Sequence, residues 1–288
     1  MTPLKSAISQ FQDYLTYTEK SKETIAGYMR ELKKFYNHQQ VKFNYPPYLS
    51  DVKLGELEEY LGSQLLKGLS QGTRSRSYHI LRSFYNFCYK KELIQRNIAL
   101  SLEPIKVKRK ERIYLLEEEV NSLVNEIESE LVKMAVNSIY YTGMRISECT
   151  NLRLKDVDFE SKVIHVIGGK GNKDRDIPIS DKLYEILIDY VENKRLKVDG
   201  SEYFFATSKS GRISPQYINK QINEAVKKLK WDKHVSAHII RHSFASRLVQ
   251  KNVNLVRIQK LLGHSDLRVT SIYTHTSTND LRQAVNEI

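Results

Sequence analysis

Ala237-His238-Ile239-Ile240-Arg241-His242, followed by Leu262-Gly263-His264 and then by Ile272-Tyr273-Thr274-His275, is the stretch on which the reading of this chain turns. A phenol nine residues after one histidine, with an arginine and another histidine upstream, is the residue set of a tyrosine nucleophile beside a phosphate clamp. Attack of a phenol on a phosphodiester builds charge on the non-bridging oxygens, so cations must already stand there. A guanidinium suits that task because it stays protonated and offers paired donors to phosphate oxygens. His238 and Arg241 are three residues apart, which puts them on one side of a helix. Upstream, Thr142-Gly143-Met144-Arg145 supplies a helix stop and then a second clamp arginine at the start of a new helix. Gly169-Lys170-Gly171-Asn172-Lys173 sets a lysine on a glycine turn. The pattern points to phosphoryl transfer through a tyrosine.

The 288 residues exceed the usual size of one hydrophobic core and suit two domains. An apolar fraction of 40% and a mean hydropathy of −0.50 are those of a soluble globular protein, and no run approaches the ~20 apolar residues of a membrane span. Met1 to Ser6 lead straight into an amphipathic pattern, with neither the apolar core nor the cleavage site of a signal peptide, so a cytoplasmic location is expected. Cys88 and Cys149 each lie in a helical apolar pattern, which offers neither a disulfide framework nor a cysteine zinc site. The net charge of +12 favours an acidic polymer as partner. Most of it is N-terminal: residues 1–112 carry 20 Lys and Arg against 11 Asp and Glu, the remainder 26 against 23.

Apolar positions recur at helical spacing over residues 4–15, 24–36, 54–66 and 73–89, predicting an all-helical first domain over residues 1–102. In the last of these, Ile80, Leu81, Phe84, Phe87 and Cys88 make one stripe, while Ser75, His79, Arg82 and Asn86 face the other way. That polar side, with Arg74 and Arg76 near its start, is a candidate to enter a major groove. Tyr45-Pro46-Pro47-Tyr48 rules out a continuous helix there, and a long connection is expected over residues 39–52. A basic linker is expected over residues 103–113, where Lys106, Lys108 and Arg109 follow Pro104 and are placed to neutralise backbone phosphates. The second domain, residues 114–288, reads as mostly helical, with a hairpin formed by residues 163–167 and 176–179. Its helices are expected over residues 116–120, 131–141, 181–194, 215–229, 237–250 and 255–262, with shorter ones around Tyr273 and at residues 280–288.

The order and spacing of these motifs resemble the tyrosine recombinase (phage integrase) family, and within it the compact Xer-type and mobile-element enzymes. The resemblance covers nearly the whole chain. It rests on the motifs above, on Ser21-Lys22-Glu23-Thr24 through Tyr28, Arg30-Glu31-Leu32 and Phe35, and on Gly171-Asn172-Lys173-Asp174-Arg175 with Pro178. It implies a fold that is mainly α with a small β-sheet: a helical core-binding (SAM-like) domain and an α+β catalytic domain clamping duplex DNA. It implies that Tyr273 attacks the scissile phosphate to give a 3′-phosphotyrosyl bond and a free 5′-hydroxyl, and that Arg145, Arg241 and His264 stabilise the transition state. His238 is then the candidate base and Lys170 the acid for the departing 5′-oxygen, with Lys173 as its fallback. Lys173 and Arg175 are also candidate DNA contacts.

No metal or nucleotide cofactor is required, because the phosphotyrosyl bond conserves the energy of the broken phosphodiester. The expected partner is double-stranded DNA carrying an inverted-repeat core site, with a homotetramer on two such sites, accessory proteins allowed and no membrane. The resemblance assigns the apolar stripe Leu281, Ala284, Val285 and Ile288 to a C-terminal helix, residues 279–288, exchanged between protomers. The long 39–52 connection and Ile98 in place of a proline favour a recombinase of a mobile element, for integration, excision or cointegrate resolution. Chromosome-dimer resolution, a type IB topoisomerase and a catalytically silent architectural DNA-binding protein remain as alternatives. Tyr184 and Tyr190 are the other nucleophile candidates among the chain's 18 tyrosines.

Overall fold

The computed structural model describes residues 1–108, 113–168, 174–198 and 200–263. The chain divides into two compact units, Met1–Glu111 and Arg112–Ile288. The first contains four helices, α1 (Leu4–Tyr17), α2 (Lys22–Phe43), α3 (Leu54–Leu66) and α4 (Gln71–Lys90), and a short 3-10 turn at Ile98–Ser101. Serine hydroxyls start two of them, Ser21 accepting from the Thr24 amide at 3.2 Å and Ser70 from that of Thr73 at 3.2 Å. Such caps satisfy amides that have no partner in the first helical turn. Phe11, Phe35, Leu57, Leu81 and Phe84 are fully buried where the helices meet, with the Phe11 and Phe84 rings edge to face at 5.6 Å. Within that core the Tyr60 hydroxyl and the Gln64 amide both donate to Glu31, at 2.8 and 2.9 Å.

One expectation for this unit is corrected. Helix α2 runs on to Phe43 and stops at Asn44 in the left-handed conformation, φ 57°, so the connection to α3 covers residues 44–53 and is shorter than expected. Gln39, expected to begin that connection, is fully buried and donates to the Glu56 carbonyl at 3.3 Å. At the other end, Ile105 packs against the helical core and the Lys108 amide donates to Gln71 at 3.1 Å. The start of the basic stretch thus lies along the first unit.

The second unit is built around α6 (Glu130–Thr142) and α10 (Ala237–Gln250), flanked by α5 (Glu117–Glu126), α7 (Ile146–Asn151), α8 (Asp181–Asp189), α9 (Pro215–Lys228) and α11 (Leu255–Leu262). The segment expected as one helix over 181–194 changes to a π-helical turn at Tyr190–Lys194. Its sheet has three antiparallel strands in the order β1 (Val157–Asp158), β2 (Val163–Val166) and β3 (Arg175–Pro178). The expected hairpin is thus present with an extra edge strand. Ile164 pairs with Ile177 and Val166 with Arg175. Strand side chains alternate between faces, so Arg175 shares the inner face with the buried Ile177.

Candidate active site

Two glycines shape the site. Helix α6 ends at Gly143 with φ 65°, a conformation that strains any residue with a Cβ. A Cβ here would also lie 2.3 Å from the Phe244 ring and 2.8 Å from Leu262. The reversed chain makes Arg145 the N-cap of α7. Gly263 ends α11 in the same way, φ 63°.

Glu148, three residues into the short α7, is the hub of the cluster. Its Oε2 accepts the Arg145 backbone amide at 2.6 Å and its Oε1 accepts Arg145 Nη1 at 2.7 Å. Arg175 adds a two-pronged pair, Nη1 to Oε1 at 3.0 Å and Nη2 to Oε2 at 2.8 Å. Arg241 Nη1 stands 3.9 Å from Oε2. The Glu148 side chain is 6% exposed. Burial alone would raise its pKa, but Arg175, the Arg145 amide and the Arg145 guanidinium outweigh that and hold it at about 2. Three guanidinium charges against one carboxylate leave the cluster at +2. A partly buried cluster of net positive charge suits a phosphodiester that gains charge in its transition state.

The same three arginines hold the end of α11. Arg175 Nε donates to the Leu261 carbonyl at 2.8 Å, Arg241 Nη2 to that of Leu262 at 2.8 Å, and Arg145 Nη2 to that of Gly263 at 3.2 Å. Arg241 Nη1 donates also to the Gly143 carbonyl. Carbonyls in the last turn of a helix lack intrahelical partners and lie at its negative end, which makes them natural acceptors for cations. Arg241 is 3% exposed, whereas His238, one turn earlier on α10, is exposed, with its ring 5.3 Å from that of the buried His242.

The structure therefore gathers Arg145 and Arg241 and places His238 one turn from Arg241. Lys170, Lys173, Arg109, His264, Tyr273 and the expected exchange helix lie outside the described residues. Both other nucleophile candidates stand in packed surroundings. Burial pushes the Tyr190 phenol up to about 12, and it donates to the Phe204 carbonyl at 3.2 Å. Tyr184 packs edge to face with Phe159 at 6.0 Å and lies under Lys162.

Glu148 was missed by sequence reasoning, although an acidic residue three positions after an N-cap is a recognisable helix-start signal. Arg175, expected on the DNA, turns its guanidinium inward and is 9% exposed in its side chain. In the first unit, Arg82 folds back to donate to the Tyr78 hydroxyl at 2.6 Å, with its guanidinium over that ring. Arg74 is half-buried, while Arg76 is exposed with its guanidinium close over Gly27. Lys106 and Lys108 have exposed side chains.

A guanidinium pair organised by a carboxylate in a mostly helical unit has the chemistry that phosphoryl-transfer enzymes use. Comparison with known proteins specifies it. Residues 113–280 match the phage integrase family and residues 8–92 the phage integrase N-terminal SAM-like domain. The chain belongs to the phage integrase family, whose members are tyrosine recombinases. It is 32% identical to a tyrosine recombinase of Thermosipho africanus, over 99% of this chain and 100% of that one. Identity with tyrosine recombinase XerC of Bacillus pumilus is 30%, over 98% and 96% of the two chains. The fold is that of the Tn1549 transposon integrase in complex with a circular intermediate DNA, TM-score 0.81 at 20% identity with both chains covered in full. It is also that of the XerH site-specific recombinase bound to difH substrate, TM-score 0.69 at 22% identity over 99% and 96% of the chains. No helix among the described residues is long and apolar enough to cross a membrane.

Proposed function

We propose that this chain is a site-specific recombinase that cuts and rejoins duplex DNA at an inverted-repeat core site, with Tyr273 as nucleophile. The observation that carries this is the cluster of Arg145 and Arg241 around Glu148, hydrogen-bonded to the two carbonyls that immediately precede residue 264. In this scheme the Tyr273 phenol oxygen attacks the scissile phosphorus as the bond from phosphorus to the 5′-oxygen breaks. The phenol proton passes to His238, and the departing oxygen takes a proton from Lys170, with Lys173 as the alternative donor. Arg145, Arg241 and His264 hold the non-bridging oxygens. The phosphotyrosyl bond stores the energy of the broken linkage, so a 5′-hydroxyl from a second duplex reverses the step on a new strand.

DNA in the Tn1549 integrase and XerH structures supports duplex DNA as the partner here. The surplus of Lys and Arg in residues 1–112, to which Arg74, Arg76, Lys106, Lys108 and Arg109 contribute, suits the phosphate backbone. We assign the 279–288 segment to exchange between protomers of a tetramer on two DNA sites. A mobile element is the element served in our main reading, supported by Ile98 in place of a proline. Chromosome-dimer resolution is the second reading. The 30% identity with XerC and the shortened 44–53 connection favour it.

The test is to trap the reaction on suicide duplexes nicked near each inverted repeat flanking the gene, then map the DNA-linked peptide. A Tyr273 adduct at one repeat establishes the mechanism and identifies the site. No adduct on DNA that the protein binds tightly would refute the catalytic assignment in favour of a binding role.

A further inference from the structure

We propose that Arg175 is a positioning residue of this active site, locking Glu148 and the end of α11 so that Arg145 and Arg241 face the scissile phosphate. The inference rests on the recombinase reading above and deepens it.

Strand register puts Arg175 on the inner face of β3, opposite Val166 and two residues from Ile177. Its Nε, Nη1 and Nη2 reach three different acceptor atoms: the Leu261 carbonyl and the two oxygens of Glu148. Gly263 closes over it, since a Cβ there would stand 3.0 Å from Arg175 Cδ and 3.1 Å from Nη1. An arginine so enclosed is poorly placed to reach a DNA backbone.

What it does instead follows from how a carboxylate is filled. Glu148 has two oxygens with about two acceptor sites each. Arg175 occupies one site on each oxygen, and Arg145 occupies one on each through its backbone amide and its guanidinium. Arg241 is thereby kept at 3.9 Å, beyond hydrogen-bonding distance. Without Arg175, each Glu148 oxygen has a vacant site, Arg241 is the nearest cation to fill it, and the Leu261 carbonyl loses its donor. The carboxylate then withdraws a clamp arginine from the phosphate, and the turn that leads into residue 264 loses one of its three ties. A lysine carries the charge but not the planar fork, so it reproduces only part of the arrangement.

The experiment compares wild type, Arg175→Gln and Arg175→Lys in single-turnover cleavage of the trapping duplex. Each is also tested on the same duplex with a neutral methylphosphonate at the scissile position. A substrate without the negative charge shared by the non-bridging oxygens depends less on clamp placement. On the phosphodiester we expect R175Q to cleave about 100-fold more slowly, the scale of an ångström-level misplacement. Its DNA affinity should change by less than about threefold, because the lost interaction serves the transition state. On the methylphosphonate the deficit should shrink to below about tenfold, with R175K between R175Q and wild type on both. Comparing two substrates in one preparation cancels any unfolded fraction. An equal deficit on both substrates, or DNA affinity falling in step with the rate, would overturn the proposal. Failure of wild type to form any adduct would instead remove the recombinase assignment on which it stands.

Discussion

Replacing Glu148 by Gln measures directly how strongly the arginine cluster depends on one negative charge. The carboxylate accepts four hydrogen bonds, two from Arg145 and two from Arg175. Glutamine imitates its protonated form and turns an amide donor toward the same guanidinium donors. The folded pKa, about 2, lies below the ordinary value of 4.5. A depressed carboxylate pKa stabilises the fold fully above the unfolded pKa, and the contribution disappears as pH falls through the folded pKa. At ~1.36 kcal/mol per pKa unit, wild type should exceed E148Q by about 3 kcal/mol at pH 6 and by only about 1 kcal/mol at pH 3. Urea unfolding at both pH values, followed by fluorescence, reads this out, because the chain has one tryptophan and Trp231 packs against the catalytic core. The other carboxylates titrate in both proteins and cancel in the difference. A gap below about 1 kcal/mol at pH 6, or one of equal size at both pH values, would refute the claim that Glu148 acts through its charge.

Gly143→Ala should lower the stability of the catalytic unit by about 2–4 kcal/mol in urea unfolding, since it combines a positive φ with overlap onto Phe244 and Leu262. A loss within about 0.5 kcal/mol would show that the turn adapts freely. Tyr273→Phe should retain DNA binding and form no covalent adduct on the trapping duplex; an adduct that persists would move the nucleophile to another residue. Deleting residues 280–288 should leave single-site binding intact and abolish pairing of two sites in a gel-shift assay, and unchanged recombination would refute the exchange assignment.

Much of the fold was legible because its signals are local. Ser21 and Ser70 start helices where a hydroxyl precedes an apolar periodic run, and Gly143 stops one where only a residue without a Cβ sits comfortably. The stripe of Ile80, Leu81, Phe84, Phe87 and Cys88 is buried as its spacing requires. What local signals did not show is where polar side chains find their partners. Gln39 is polar yet fully buried, with the Glu56 carbonyl accepting its amide, and α2 runs on past the expected residue 36 to Phe43. Arg82 is cationic yet turned onto Tyr78, whose hydroxyl accepts its hydrogen bond and whose ring attracts its charge. Arg175 was partly readable, since period-two alternation already places it on the face of Ile177.

By itself, the sequence determined the helical and strand periods and the glycine stops, and it singled out Arg145 and Arg241, the two arginines that the structure brings together. Each of these depends on backbone geometry within a few residues or on a side chain's own chemistry. Only the tertiary structure decided that Glu148 would be shared by arginines from α7, β3 and α10, and that carbonyls 261, 262 and 263 would each receive one of those arginines. Arg175 lies 27 residues from Glu148 and 86 from Leu261. A guanidinium suits a DNA phosphate, a carboxylate and a helix-end carbonyl almost equally well. Which of them it meets is decided by the packing of elements distant in the chain.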